Sequence, residues 1–144
     1  MKILIVSDSH SNTDAIMKII EKHPNMDLYL HAGDSEDTSF GIYPYIGVRG
    51  NCDYDDYLAN KYKCDTPYGA LLMQHKPNIT LNELRKEKIK IFVYGHLHKR
   101  DFHQEGDIYI VSPGAIAFER DAHEEGYVIL DISKEDVKAT FFDL

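Results

Sequence analysis

Residues 2–10 read Lys2-Ile3-Leu4-Ile5-Val6-Ser7-Asp8-Ser9-His10, an unbroken apolar run that stops on a polar cluster. Such a run suits a strand covered on both faces rather than a half-exposed strand of alternating polarity. It is shorter than a signal-peptide core of about 7–15 apolar residues, so it is expected to begin the fold rather than to address the chain. Ser11-Asn12-Thr13-Asp14 follows with the Ser-x-x-Asp spacing of a capping box. Beyond it, Ala15, Ile16, Ile19 and Ile20 share one helical face, up to His23-Pro24.

The same pattern recurs outward from this unit. Residues 27–32 read as a strand ending in Gly33-Asp34, and 45–49 as a strand ending in Gly50-Asn51. Residues 70–74 end in Gln74-His75, and 90–94 end in Gly95-His96-Leu97-His98. A hairpin is expected between 62–64 and 70–74 around Asp65-Thr66-Pro67-Tyr68-Gly69. Thr80-x-x-Glu83 opens a short helix over 80–88. The remainder reads as strands at 102–104, 108–111, 127–132 and 137–142. Alternation of strand and helix followed by a strand-rich half predicts an α/β fold of two mixed sheets packed together, with helices outside. Without repeats, low-complexity runs or linkers, 1–144 is expected to be a single domain.

Five strands thus end in polar clusters, and in sheets of this kind ligands bind beyond the carboxyl ends of the strands. Asp8 and His10 are two apart, as are His96 and His98, so in extended chain each pair aims two side chains at one side. Glycines before Asp34, Asn51 and His96 would allow a sharp backbone exit there. Asp8, His10, Asp34, Asn51, His75, His96 and His98 form an oxygen–nitrogen donor set without thiolates. That set suits Mn²⁺, Ni²⁺, Fe²⁺, Co²⁺ or Zn²⁺ better than Ca²⁺ or a structural cysteine–zinc site. Seven ligands are too many for one ion with an open position, but enough for two that share a carboxylate. A pair of ions about 3.5–4 Å apart clamps the attacking and leaving oxygens of a phosphoryl displacement. Two divalent ions less Asp8, Asp34 and a bridging hydroxide leave the centre cationic, so a phosphate is the expected guest.

Composition narrows the classes further. The formal net charge is -8, which argues against a nucleic-acid groove but not against a small phosphorylated substrate. No stretch approaches the roughly 20 apolar residues of a membrane span. The two cysteines, Cys52 and Cys64, are too few for a disulfide framework and suggest a reducing cytoplasm.

Asp8-x-His10, Gly33-Asp34, Gly50-Asn51, His75 and Gly95-His96-x-His98, in that order, resemble the calcineurin-like metallophosphoesterase family, and its small bacterial and archaeal phosphodiesterase branch most closely. Ser112-Pro113-Gly114 is similar to that branch's Asn-Pro-Gly-Ser loop. The resemblance implies a four-layer α/β/β/α sandwich. It implies that Asp8, His10, Asp34 and His98 hold one ion, and that Asp34, Asn51, His75 and His96 hold the other. Two transition-metal ions, manganese foremost, and in-line attack by a metal-bound hydroxide on a small phosphodiester follow from it as well. Asn51, Cys52 and His75 are then the catalytic candidates, with Asn51 and Arg120 on the substrate phosphate. The wider family carries histidine, the usual proton donor to the leaving oxygen, where this chain has Cys52. A thiol is the poorer acid at neutral pH, so diesters with good leaving groups are the expected substrates.

Several residues invite plainer readings. His31 is expected to hydrogen-bond near the site rather than ligate; His23, His103 and His123 are expected on the surface. Cys64 is expected in the core, and Asp53 to orient His10 or Cys52. Arg100 and Arg120 are within sequence reach of a phosphate site, but each reads more readily as a surface residue. Tyr43, Tyr45, Tyr54 and Tyr57 flank the Asn51 block as packing residues or as a wall beside an aryl or nucleoside group. A homo-oligomer is compatible with these tyrosines, but nothing specifies one. Two rival functions remain. One is phosphomonoester hydrolysis of a metabolite. The other is a protein-binding scaffold, since a retromer subunit shares this fold with a degraded metal site.

Overall fold

The computed structural model describes residues 1–116 and 124–144. In chain order the elements are β1 (Lys2–Val6), α1 (Thr13–Lys22), β2 (Leu28–His31), β3 (Ile46–Gly47), β4 (Lys61–Thr66), β5 (Gly69–Gln74), α2 (Leu81–Lys86), β6 (Ile89–Val93), β7 (Arg100–Glu105), β8 (Ile108–Pro113), β9 (Tyr127–Ile132) and β10 (Val137–Phe142). They form two five-stranded sheets, ordered β10-β9-β1-β2-β3 and β4-β5-β6-β8-β7. Both are mixed. In the first, β1, β2, β3 and β10 run in one direction and β9, between β10 and β1, runs antiparallel to both neighbours; in the second, β5, β6 and β8 are parallel with antiparallel β4 and β7 at the edges.

The apolar strand runs account for the layering. Ile3 and Ile5 of β1 pack in one cluster with Leu71, Met73, Ile91 and Val93 of the opposite sheet. Leu4 and Val6, which alternate with them, pack with Ile16 and Ile19 of α1. Leu72 and Phe92 do the same on the far side, against Leu84 of α2. Three apolar seams therefore separate four layers, and β1 needs an apolar residue at every position because both of its faces are covered. Each fully buried aliphatic side chain contributes roughly 1.5–3 kcal/mol in these seams. The expected α/β/β/α sandwich of two mixed sheets is the observed fold.

Local details differ from the sequence reading where backbone groups have other work. The cap of α1 is Asn12 rather than Ser11: its side chain accepts from the Ala15 N–H at 3.3 Å. Ser11 is unavailable because its own N–H donates to the Ser35 carbonyl and its hydroxyl to Glu36. Thr80 caps α2 as expected, accepting from the Glu83 N–H at 3.1 Å. The third strand shrinks from 45–49 to Ile46–Gly47, because Arg49 turns its N–H to the Ala59 carbonyl.

Candidate metal centre

Asp8 follows β1, Asp34 follows β2, Asn51 follows β3, His75 follows β5, and His96 and His98 follow β6. All five are parallel members of their sheets, so their carboxyl ends meet at one edge of the sandwich. Two donor groups form there, Asp8–His10–His98 and Asp34–His75–His96, each with its ligand atoms within 4.8 Å of one another. His75 links them, with Nε2 3.2 Å from Asp34 Oδ2 and 3.9 Å from Asp8 Oδ1. The Asn51 Oδ1 atom joins at 3.0 Å from the same nitrogen. The structure thus gathers all seven positions singled out by spacing.

The backbone route to this cluster is not the extended one that an i, i+2 spacing suggests. Asp8, His10, Asp34, His96 and His98 all have positive φ, between 42° and 70°. Non-glycine residues there cost roughly 1–2 kcal/mol each, a cost of the kind concentrated at functional sites. The preceding glycines need revision too. Gly50 and Gly95 do not have positive φ. A Cβ on Gly50 would collide with the Asp34 carboxylate, and one on Gly95 with Ser7 Oγ and Asp8 Oδ2. These two glycines admit the site's own side chains rather than turning the chain.

Hydrogen bonds select which atom of each residue faces the centre. Asp8 is fully buried; Oδ2 accepts from the Ser7 hydroxyl and the His96 N–H, while Oδ1 has no hydrogen-bond partner among the described residues and stands 3.2 Å from His98 Nε2. His75 Nδ1–H donates to the Ala32 carbonyl at 2.8 Å, which leaves Nε2 as the ligand nitrogen. His10 is oriented in the same way by Glu36 Oε1, 3.2 Å from Nδ1. Asp34 Oδ1 accepts from the Cys52 N–H at 2.8 Å, leaving Oδ2 toward His75. A fully buried carboxylate oxygen with no hydrogen bond is costly unless a cation completes it. The donor set and its orientation fit divalent ions.

The electrostatics agree. Burial raises the Asp34 pKa, but hydrogen bonds from His75 and the Cys52 N–H outweigh it and bring the group to about 2. Asp8 is likewise net lowered: burial opposes, and the neighbouring His98 and His75 imidazoles prevail. Burial lowers the His75 pKa, but the hydrogen bond to Asp34 and the charge of Asp8 outweigh it and leave the group net raised. The Cys52 thiol is pushed up by burial and by the charges of Asp34 and Glu36, so it holds its proton at neutral pH.

Other candidates fall outside the cluster. His31 is fully buried with both nitrogens engaged: Nδ1 accepts from the Gly33 N–H and Nε2–H donates to Ser9 Oγ. Asp53 does not orient His10 or Cys52; its carboxylate accepts from the backbone N–H groups of Asp34, Glu36 and Gly50. Arg100 clamps the carbonyls of Glu125 and Phe142 and the Asp143 carboxylate, away from the site. His23 is half-buried, paired with the Tyr127 hydroxyl, and His103 is exposed beside Asp101. Cys64 is half-buried at the margin of the inter-sheet core. Tyr45 is buried, whereas Tyr43, Tyr54 and Tyr57 are exposed. Arg120 and His123 lie outside the described residues. Glu36 and Ser7, which orient His10 and Asp8, carried no spacing signal.

Burial pushes the His31 imidazole down to about 4, against an upward pull from Asp8 and Asp53. The unfolded chain therefore takes this proton first. Stability from a neutral His31 is complete above about 6.5 and is lost as pH falls toward 4. Between pH 8 and pH 5 the loss is about 2 kcal/mol. In chelator, urea unfolding of wild type should fall by that much more than unfolding of His31→Gln over this interval. Equal falls would show that His31 is not the titrating group.

A family model described as the calcineurin-like phosphoesterase superfamily domain matches residues 1–135. The Bacillus subtilis (strain 168) protein named "Probable metallophosphoesterase YsnB" is 27% identical over 154 residues, covering 99% of this chain and 91% of its own length. Among solved structures, a conserved Streptococcus pneumoniae TIGR4 protein described as a predicted phosphoesterase superposes with a TM-score of 0.86 at 24% identity, over 99% of this chain and 88% of that one. An archaeal phosphodiesterase gives 0.78 at 22% identity, over 99% and 100% of the two chains. Chaetomium thermophilum Vps29 gives 0.75 at 15%, over 99% and 97%. At these identities the solved structures speak for the fold alone.

Proposed function

Because the chain belongs to the calcineurin-like phosphoesterase superfamily, we propose that it is a phosphodiesterase that hydrolyses small phosphodiesters with two divalent transition-metal ions, manganese foremost. The observation that carries this reading is the pair of linked donor groups, Asp8–His10–His98 and Asp34–His75–His96. In this reading Asp8, His10, Asp34 and His98 would hold one ion, and Asp34, Asn51, His75 and His96 would hold the other, Asp34 serving both. Bound ions supply charge neutralisation at phosphate and an activated water. The remaining steps belong to the chain. His75 is pinned by the Ala32 carbonyl, so Nε2 keeps one direction throughout turnover. Asn51, exposed at the mouth, orients a phosphate oxygen through its amide. Cys52, grouped with His10 and Glu36, is the proton source this reading assigns to the leaving oxygen. Its two-cysteine composition and free thiols suit a reducing cytoplasm, and residues 1–144 act as one catalytic domain.

A thiol held protonated by neighbouring carboxylates releases its proton reluctantly, so the site favours leaving groups that depart without one. Metal-free protein reloaded in turn with Mn²⁺, Ni²⁺, Co²⁺, Fe²⁺ and Zn²⁺ should hydrolyse bis(4-nitrophenyl) phosphate. The expected kcat/KM is on the order of 10-fold above that for 4-nitrophenyl phosphate. Faster turnover of the monoester would replace the diesterase reading with a phosphomonoesterase. Two bound ions with no turnover of either ester would point to a protein-binding platform.

A further inference from the structure

Beside the metal centre lies a cavity of about 360 Å³ that shares Asn51 and His75 with it. Its wall carries Arg49, from the turn after β3, Lys61, the first residue of β4, and Lys76, just past β5. Three cations face one carboxylate there, Glu83, in a chain whose net charge is -8. Arg49 is also within 3.5 Å of Asp56, but both are exposed, so the pair is weak and water-screened. The cavity is therefore a local positive field on an acidic protein, opening beside the site where a phosphate would sit.

A second, independent feature lies in the same wall. Gln74 is 7% exposed, and its Nε2 donates to the Lys76 carbonyl at 2.7 Å and to Asn78 Oδ1 at 2.9 Å. A carbonyl only accepts, so this amide cannot be turned over without losing that bond. Oε1 is left buried with no hydrogen-bond partner among the described residues. A buried acceptor of this kind calls for an N–H or O–H donor. The wall thus combines cations for an anion with one fixed acceptor for a donor.

We propose that this cavity is a subsite for the second arm of the substrate, and that the arm is a compact polyol bearing a second phosphate. The phosphate meets Arg49, Lys61 and Lys76, and a hydroxyl donates to Gln74 Oε1. The proposal rests on the phosphodiesterase reading and names the class of diester that the centre takes. An aryl or alkyl arm satisfies neither the cations nor the buried acceptor.

Two measurements test it. The first compares 4-nitrophenyl phosphodiesters whose other arm is ethyl or 3-phosphoglyceryl, with the manganese-loaded protein. The phosphoglyceryl ester should be favoured about 10-fold or more in kcat/KM, mainly through KM, and less so at high salt. In the Arg49→Gln/Lys61→Gln/Lys76→Gln triple variant that preference should shrink to roughly twofold. All three positions are exposed, so the triple variant is expected to fold. The second titrates glycerol 3-phosphate into the metal-free protein and expects at least about fivefold weaker binding by the triple variant. A preference near one, or one that the triple variant retains, overturns the subsite. Should neither ester turn over, the phosphodiesterase reading fails, and the titration still decides the subsite: equal binding by wild type and the triple variant overturns it.

Discussion

Asp34→Ala lowers kcat/KM for a diester at least about 10³-fold, some 4 kcal/mol of transition-state stabilisation. On the two-ion reading it also reduces bound metal from two ions per chain to at most one. Both expectations follow from the place of this carboxylate. Oδ2 stands 3.2 Å from His75 Nε2, and Oδ1 takes the Cys52 N–H, so the side chain joins one donor group to the loop of Asn51 and Cys52. It is ionised across any practical assay range, since its pKa is brought to about 2. Alanine removes the negative charge that the two proposed ions would share and leaves the Cys52 N–H without its acceptor. Asp34→Asn separates these effects: an amide oxygen can keep the Cys52 bond while the charge is lost. Its activity should be closer to that of the alanine variant than to wild type. Retention of more than a tenth of wild-type turnover by Asp34→Ala, with two ions still bound, would remove Asp34 as the shared ligand.

The strand ends that deliver these candidate ligands were legible in the sequence because both periodicities were clean. Ile3-Leu4-Ile5-Val6 is apolar throughout because an opposite sheet covers one face and α1 the other. The polar residue that ends each run then has to lie at the rim. Less legible was how the chain turns there. Left-handed φ at Asp8, His10, Asp34, His96 and His98 leaves only a weak trace in residue type: Asp and His enter this region more readily than most residues, but glycine, the usual signal, is absent from all five positions. Gly50 and Gly95 misled in the opposite sense: they signal a close approach by a side chain remote in sequence, not a turn. The cationic cavity was hidden for a related reason. Arg49, Lys61 and Lys76 are spaced too widely to form a charge run; the pairing of β4 with β5 brings the two lysines together, and the bridge between Val48 and Ala59 brings Arg49 to them.

Asp53 is the clearest case of a role set by backbone rather than side-chain partners, and its removal should be the costliest single change outside the ligands. Oδ2 accepts from the Asp34 N–H at 2.9 Å and the Gly50 N–H at 2.7 Å, and Oδ1 from the Glu36 N–H at 2.8 Å. One buried carboxylate therefore ties the loop after β2 to the loop after β3, the two segments that present Asp34 and Asn51. Asp53→Ala leaves the N–H groups of Asp34 and Gly50 buried without acceptors. Hydrogen bonds to a charged group are worth about 1.5–3 kcal/mol each and do not add fully, so the expected destabilisation is roughly 3–5 kcal/mol. Function should fall as well, because a misplacement near 1 Å between reacting groups can cost on the order of 10²-fold in rate. Asp53→Asn keeps one acceptor oxygen but turns an NH₂ toward a third N–H, and should fall between wild type and alanine. Urea unfolding in chelator measures the stability term free of metal, and metal titration of the folded variant measures the positioning term. Asp53→Ala with stability within about 1 kcal/mol of wild type and unchanged metal affinity would show that the two loops hold their places without this carboxylate.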